Sequence, residues 1–263
     1  MDLGLKDKVA VVAGASQGLG RAVAEALATE GARVALCAPT ATTLEATAEE
    51  IRRSTGAEVV AVPVDVTRPA EVERFVNTAV QRWGTVNIAV ANAGGPPGKP
   101  FAALTLEDWK NAVELNLMSS VHLARAVLPR MRAQRWGRLV FLTSVAVKQP
   151  IDGLLLSNAV RSGVTGLAKA LANECAADNV LVNTVCPGYT RTERLEELIA
   201  TVLQQRGTTR EQVVAGWAAE IPLGRLAEPR EIGAVVAFLA SEQASYVTGS
   251  SLTVDGGYVK SLL

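Results

Sequence analysis

Residues 9–20 read Val9-Ala10-Val11-Val12-Ala13-Gly14-Ala15-Ser16-Gln17-Gly18-Leu19-Gly20, an apolar β-branched run that breaks into three glycines and continues as a helical pattern. Small residues at such a strand-to-helix turn let backbone N–H groups and the helix amino end approach a pyrophosphate with no Cβ in the way. The glycine spacing is Gly-x-x-x-Gly-x-Gly, and by itself it also fits a merely tight turn. Outward from it, further β-branched runs occur at 32–37, 59–64, 87–91, 138–143, 180–185 and 252–254. Between the runs, residues 19–30, 41–54, 69–83, 107–133, 157–177 and 229–240 carry apolar residues at spacings of three and four, as amphipathic helices do. Trp109, Val113, Leu117, Val121, Ala124 and Leu128 form one such stripe. Regular alternation predicts an α/β fold: one doubly wound, seven-stranded parallel sheet with helices on both faces and ligands at the carboxyl ends of its strands. No linker, charge block or repeat divides residues 1–263, so a single domain is expected. The stretch 190–220 breaks the rhythm with two extra helices, long enough for a lid over a site and equally suited to a packed appendage or an oligomer contact.

The 26 basic and 26 acidic residues balance and are mixed along the chain, which gives no electrostatic reason to expect nucleic acid or an acidic membrane surface as partner. The amino end, Met1-Asp2-Leu3-Gly4-Leu5-Lys6-Asp7-Lys8, has no apolar signal core, and no stretch is apolar for the roughly 18 residues a membrane span needs. A cytoplasmic location is expected. Cys37, Cys175 and Cys186 are odd in number and widely spaced, fitting a reducing compartment rather than a disulfide framework. With His122 the sole histidine, an imidazole metal cluster is impossible, and its helical context reads as a surface side chain.

Asn92-Ala93-Gly94 follows the fourth strand, Asn116 lies in the long helix, and Ser144 follows the fifth strand. Val182-Asn183-Thr184-Val185-Cys186-Pro187-Gly188 spans the sixth strand, and Val247-Thr248-Gly249 and Val254-Asp255-Gly256-Gly257 close the chain. Together with the glycine spacing, this constellation from Lys8 to Gly257 resembles the short-chain dehydrogenase/reductase family, and within it the 3-oxoacyl-acyl-carrier-protein reductases. The resemblance implies a Rossmann-type domain, a nicotinamide cofactor, a small-molecule substrate and a homotetramer. By that likeness Gly14, Ser16, Gln17, Gly18, Leu19 and Gly20 hold the diphosphate. Asp65 and Val66 meet the adenine, Asn92, Ala93 and Gly94 the ribose region, and Pro187, Gly188 and Thr192 the nicotinamide.

A carboxylate at the end of the second strand would accept hydrogen bonds from the adenosine hydroxyls and repel a 2′-phosphate. Here that strand ends Cys37-Ala38-Pro39-Thr40, with no acid. The gap favours NADP over NAD, although the arginine that usually embraces the phosphate is also missing. Thr40, Thr42, Thr43 and Arg33 are candidate donors, and the threonines equally suit capping of the next helix.

Hydride reduction of a ketone leaves an alkoxide, so a site needs a proton donor and hydrogen-bond donors on that oxygen. The resemblance implies a Tyr four residues before a Lys, with a Ser and an Asn in support. Ser144 and Asn116 match, but where Tyr-x-x-x-Lys is expected the chain reads Ser157-Asn158-Ala159-Val160-Arg161. Arg161 retains the positive charge, with a donor fork suited to ribose hydroxyls, yet cannot relay a proton. Ser157 is short and far less acidic than a phenol. Lys148, Tyr189, water and the substrate are alternative proton sources. Two function classes stay open: an NAD(P)-dependent oxidoreductase acting on a carbonyl or alcohol, and a dinucleotide-holding regulator or non-catalytic subunit.

Overall fold

The computed structural model describes residues 1–262, with all side chains except those of Gln205 and Arg206. Among the described residues seven strands form one parallel sheet in the order β3-β2-β1-β4-β5-β6-β7. They are β1 Val9–Ala13, β2 Arg33–Ala38, β3 Val59–Pro63, β4 Ile88–Ala91, β5 Gly137–Leu142, β6 Val180–Pro187 and β7 Ser251–Val254. The helices between them are α1 Gly18–Thr29, α2 Ala41–Thr55, α3 Pro69–Trp83, α4 Leu106–Ala112, α5 Ser119–Ala133, α6 Leu155–Cys175 and α9 Pro229–Ala240, with α7 Glu193–Arg206 and α8 Arg210–Glu220 filling the irregular stretch. The expected elements are all present, with ends displaced by no more than two residues.

Alternation along β1 shows how two helical layers are built. Ala10 and Val12 join a core with Val23 and Leu27 of α1, Leu44 and Ile51 of α2, and Ile232 and Val236 of α9. Val9, Val11 and Ala13 enter the opposite core with Phe75 of α3, Val127 of α5 and Val164 of α6. A strand buried on both faces must be apolar at every position, which is why β1 reads as an unbroken run. The expected single helix over 107–133 is α4 and α5 joined by a π-helical turn at Val113–Met118. Such turns are rare and often accompany functional positions; this one carries Asn116.

The helices α7 and α8 pack around their own small core of Leu195, Ile199, Val213 and Leu226. Their flanks are pinned together where Thr190 bridges Ala227: Arg191 N donates to Ala227 O at 2.9 Å and Ala227 N to Tyr189 O at 2.9 Å.

Candidate active site

Strand order reverses between β1 and β4, because β2 and β3 lie to one side of β1 and the later strands to the other. Loops leaving the carboxyl ends of these strands diverge there and leave a crevice. A cleft of about 620 Å³ occupies it.

The glycine-rich turn forms the near wall. Gly14 and Gly18 have φ of +59° and +56°, in the left-handed region. A Cβ on Gly14 would fall 2.9 Å from the Asn92 carbonyl oxygen, and one on Gly20 would strike the Gly14 carbonyl. Asn92 Nδ2 donates to Gly14 O at 3.0 Å, which ties the turn to the end of β4. Gly14 and Gly20 therefore serve the tightness of the turn, while Gly18 faces the cleft and a Cβ there would lie 3.3 Å from a Glu193 carboxylate oxygen. This arrangement presents the open start of α1, with its unpaired N–H groups, to an anion, and so fits a dinucleotide pyrophosphate.

Ser16, Gln17, Leu19, Asp65, Val66, Asn92, Ala93, Gly94, Pro187, Gly188 and Thr192 also line the cleft. Gly20 does not, consistent with its place behind the turn. The Asp65 carboxylate accepts from the Thr67 hydroxyl at 2.7 Å and the Thr67 N–H at 3.0 Å, which lowers its pKa. His122 is half-buried, its Nδ1 3.2 Å from Val66 O, rather than a free surface side chain.

Beyond β2, Ala38, Pro39, Thr40 and Thr43 border the cleft. Thr40 occupies the N-cap position of α2 without a side-chain capping bond, so its hydroxyl is not spent on the helix. Arg33 cannot supply a donor there. It begins β2 at the opposite end of the strand and is paired with Asp7 and Glu58, since a side chain at the amino edge of a parallel sheet faces away from the ligand edge.

The inner end of the cleft holds Ser144, Ser157 and Arg161. Ser144 Oγ accepts from Ala146 N at 3.1 Å, which starts the short turn after β5 and leaves its O–H available to donate. Ser157 and Arg161, one turn apart on α6, are both buried. The Arg161 Nη1 reaches the carbonyls of Leu142 and Thr143 at 3.3 and 3.4 Å, and Nη2 those of Ala93 and Gly94 at 3.4 and 3.2 Å. Burial, and then the neighbouring positive charge of Arg194, push its pKa down to about 10, so it is charged at neutral pH. Asn116 stands behind this wall: Nδ2 donates to Gly94 O at 2.8 Å, while the buried Oδ1 has no partner among the described residues.

Lys148 does not line the cleft. It lies at the C-cap of the short turn Val145–Val147, which places it outside the group assembled around Ser144. Tyr189 does line the cleft, but its ring stacks on Trp217 at 4.7 Å and meets Tyr258 edge-on at 5.4 Å. Burial, and then Tyr258, raise its pKa well above that of a free phenol, making it a poorer acid. Arg194 escaped the sequence reading. It closes the outer wall by donating from Nη2 to Pro96 O at 2.5 Å, with its guanidinium against Gly95. Nothing in a helical charge pattern distinguishes it from its solvated neighbours.

Sheet order and cleft define a protein of the Rossmann class. A family model described as enoyl-(acyl carrier protein) reductase matches residues 14–259. The chain is 38% identical to the 3-oxoacyl-(acyl-carrier-protein) reductase FabG of Vibrio cholerae over 97% of this chain and 98% of that one. It is 36% identical to the Escherichia coli protein of the same name, over 97% and 98% respectively. A solved structure of L-sorbose reductase from Gluconobacter frateurii, complexed with NADPH and L-sorbose, superposes with a TM-score of 0.94 at 33% identity, covering 100% of both chains. The chain belongs to the short-chain dehydrogenase/reductase family.

Proposed function

We propose that the protein is an NADP(H)-dependent oxidoreductase that reduces a carbonyl group to an alcohol, with Ser144, Ser157 and Arg161 acting on the substrate oxygen. The observation that carries this reading is the convergence of these three residues with the glycine turn on one cleft. Gly14, Ser16, Gln17, Gly18, Leu19 and Gly20 would hold the diphosphate, Asp65 and Val66 the adenine, and Asn92, Ala93, Gly94, Arg161, Pro187, Gly188 and Thr192 the nicotinamide half. The absence of an acid after β2, the free Thr40 hydroxyl and the NADPH bound by the sorbose reductase support NADP over NAD. When bound, the cofactor supplies the hydride.

The chain's own contribution is electrostatic. The two hydroxyls donate hydrogen bonds to the carbonyl oxygen, and the fixed charge of Arg161, buried beside Ser157, favours the alkoxide as it develops. Tyr189, the phenol on the cleft wall, is made a poorer acid by burial, so the proton comes from water; the unpaired Asn116 Oδ1 supports a water held next to Gly94. Without a positioned general acid, turnover is expected to fall short of a Tyr-containing site by about 10²–10⁴-fold. The same lack of an acid favours a second reading, a protein that holds the dinucleotide without turnover. The stretch 190–220 would act as the lid, since Thr192, Glu193 and Arg194 all reach the cleft.

Calorimetric titration with NADPH and NADH, followed by absorbance at saturating NADPH with ketones and 3-oxoacyl thioesters, tests the assignment. Binding with slow turnover supports the oxidoreductase, binding without turnover the second reading, and no binding of either coenzyme overturns both. We expect a soluble cytoplasmic homotetramer. Phe238 of α9, Leu252 of the edge strand β7 and Tyr246 between them in the chain, all exposed, support a subunit contact, which light scattering checks.

A further inference from the structure

We infer that the carbonyl substrate is an organic anion, a carboxylate-bearing keto acid whose charge is received by Arg161 and Arg194. This rests on the oxidoreductase reading above. Arg161 is 9% exposed, and its guanidinium is met by four backbone carbonyls but by no carboxylate among the described residues. The charge acting on it most strongly is that of Arg194, another cation. A buried charge with only neutral dipoles around it is poorly compensated, and the compensation improves when a counter-ion arrives. The four carbonyls engage Nη1 and Nη2, so the Nε–H is left for an incoming acceptor.

The hydrogen-bonding character of the inner end points the same way. Ser144 accepts from Ala146 N and has its proton to give, and the Ser157 hydroxyl has no acceptor among the described residues. Ser157 is also short, and one turn before Arg161 it leaves the guanidinium within reach. The acids on the cleft wall stand apart from this end: Asp65 is engaged by Thr67, and Glu193 lies against Gly18. Arg194 does have a partner, the exposed Glu197 at 2.8 Å, so its contribution is the smaller. Ile151, Leu154 and Leu198 supply apolar wall for the body of a ligand. With Ser144 and Ser157 given to the carbonyl oxygen, the Arg161 Nε–H and Arg194, bordered by apolar side chains, are left as the receptor for a carboxylate on a short aliphatic chain.

The test compares 3-oxohexanoate with methyl 3-oxohexanoate, which differ chiefly in charge, by calorimetry on protein saturated with NADP⁺, where no hydride is available. The acid is expected to bind at least tenfold tighter, with an advantage that shrinks as salt is raised. Arg161→Met should abolish the acid-to-ester advantage, Arg161→Lys should retain most of it, and Arg194→Gln should reduce it severalfold. Equal affinities, a tighter ester, or binding of neither compound to NADP⁺-loaded protein overturns the inference while the oxidoreductase reading stands. Failure of NADP⁺ and NADPH to bind overturns both. If Arg161→Met does not fold, the acid-to-ester ratio of the unaltered protein and of Arg194→Gln decides.

Discussion

At the scale of single residues, the proposed chemistry turns on α6. Ser157 and Arg161 share one face and one cleft wall, so a tyrosine and a lysine at these positions would project into the same space. The double substitution Ser157→Tyr with Arg161→Lys is expected to raise carbonyl turnover about 100-fold or more, the contribution of a positioned general acid, in a protein that still binds NADPH. Steady-state kinetics with calorimetry checks both halves, and an inert double variant that still binds NADPH would refute the placement. The unaltered protein should have a flat rate profile between about pH 6 and 9. Arg161, with its pKa lowered to about 10 by burial, keeps its charge throughout that range and loses it only above. A bell centred near neutrality would show that another group transfers the proton. The sequence displayed the residues of this site but not their contacts. That Ser157 and Arg161 share a helix face follows from a spacing of four, whereas the four carbonyls around Arg161 come from the end of β5 and from the loops that follow β4 and β5, and are set by tertiary packing. Lys148 illustrates the same limit, since proximity to Ser144 along the chain does not fix which way a short turn directs its side chain.

Among the secondary-structure elements, the long parallel-sheet alternation was readable because strands buried on both faces and helices buried on one have different periods. The π-helical turn within 106–133 was not, because a widened turn barely disturbs an apolar stripe. The caps show a comparable division. Pro229 announces the start of α9, yet the reciprocal bonds that fix it, between Glu228 and Glu231, depend on rotamers. Glu231 accepts from both Nη atoms of Arg225 at 2.8 and 2.7 Å and from Glu228 N at 2.8 Å. Arg225, and then the Glu228 N–H, lower its pKa from 4.5 to about 2. Its stabilising contribution is thus complete above about pH 4.5 and lost as the pH falls towards 2. Glu231→Gln should lower the melting temperature at pH 7, and the gap from the unaltered protein should close on acidification through that window, as scanning calorimetry would register.

Across the whole molecule, Cys37, Cys175 and Cys186 are all buried and unpaired. Burial raises the Cys37 thiol to about 12 and moves the other two upward as well. Thiolate is the reactive form, so Ellman's reagent should label none of the three in the native state and all of them in denaturant. Labelling under native conditions would reveal opening of the sheet core, where Cys37 sits. The fold itself was the most legible level, since seven strands separated by helices admit few parallel arrangements. The place of residues 190–220 relative to the cleft was the least, because neither helix pairs with the sheet in register. Both flanks of that stretch nonetheless converge on one point, the bridge between Thr190 and Ala227. A segment whose two flanks meet at one neck, and which touches the scaffold elsewhere at few points such as Arg194 on Pro96 and Leu223 on Gly256, is an exchangeable cassette. Grafting an α7–α8 pair from a relative onto this neck should change which molecules are accepted, with the coenzyme wall left as it is, so selectivity in this protein has room to diverge independently of the machinery beneath it.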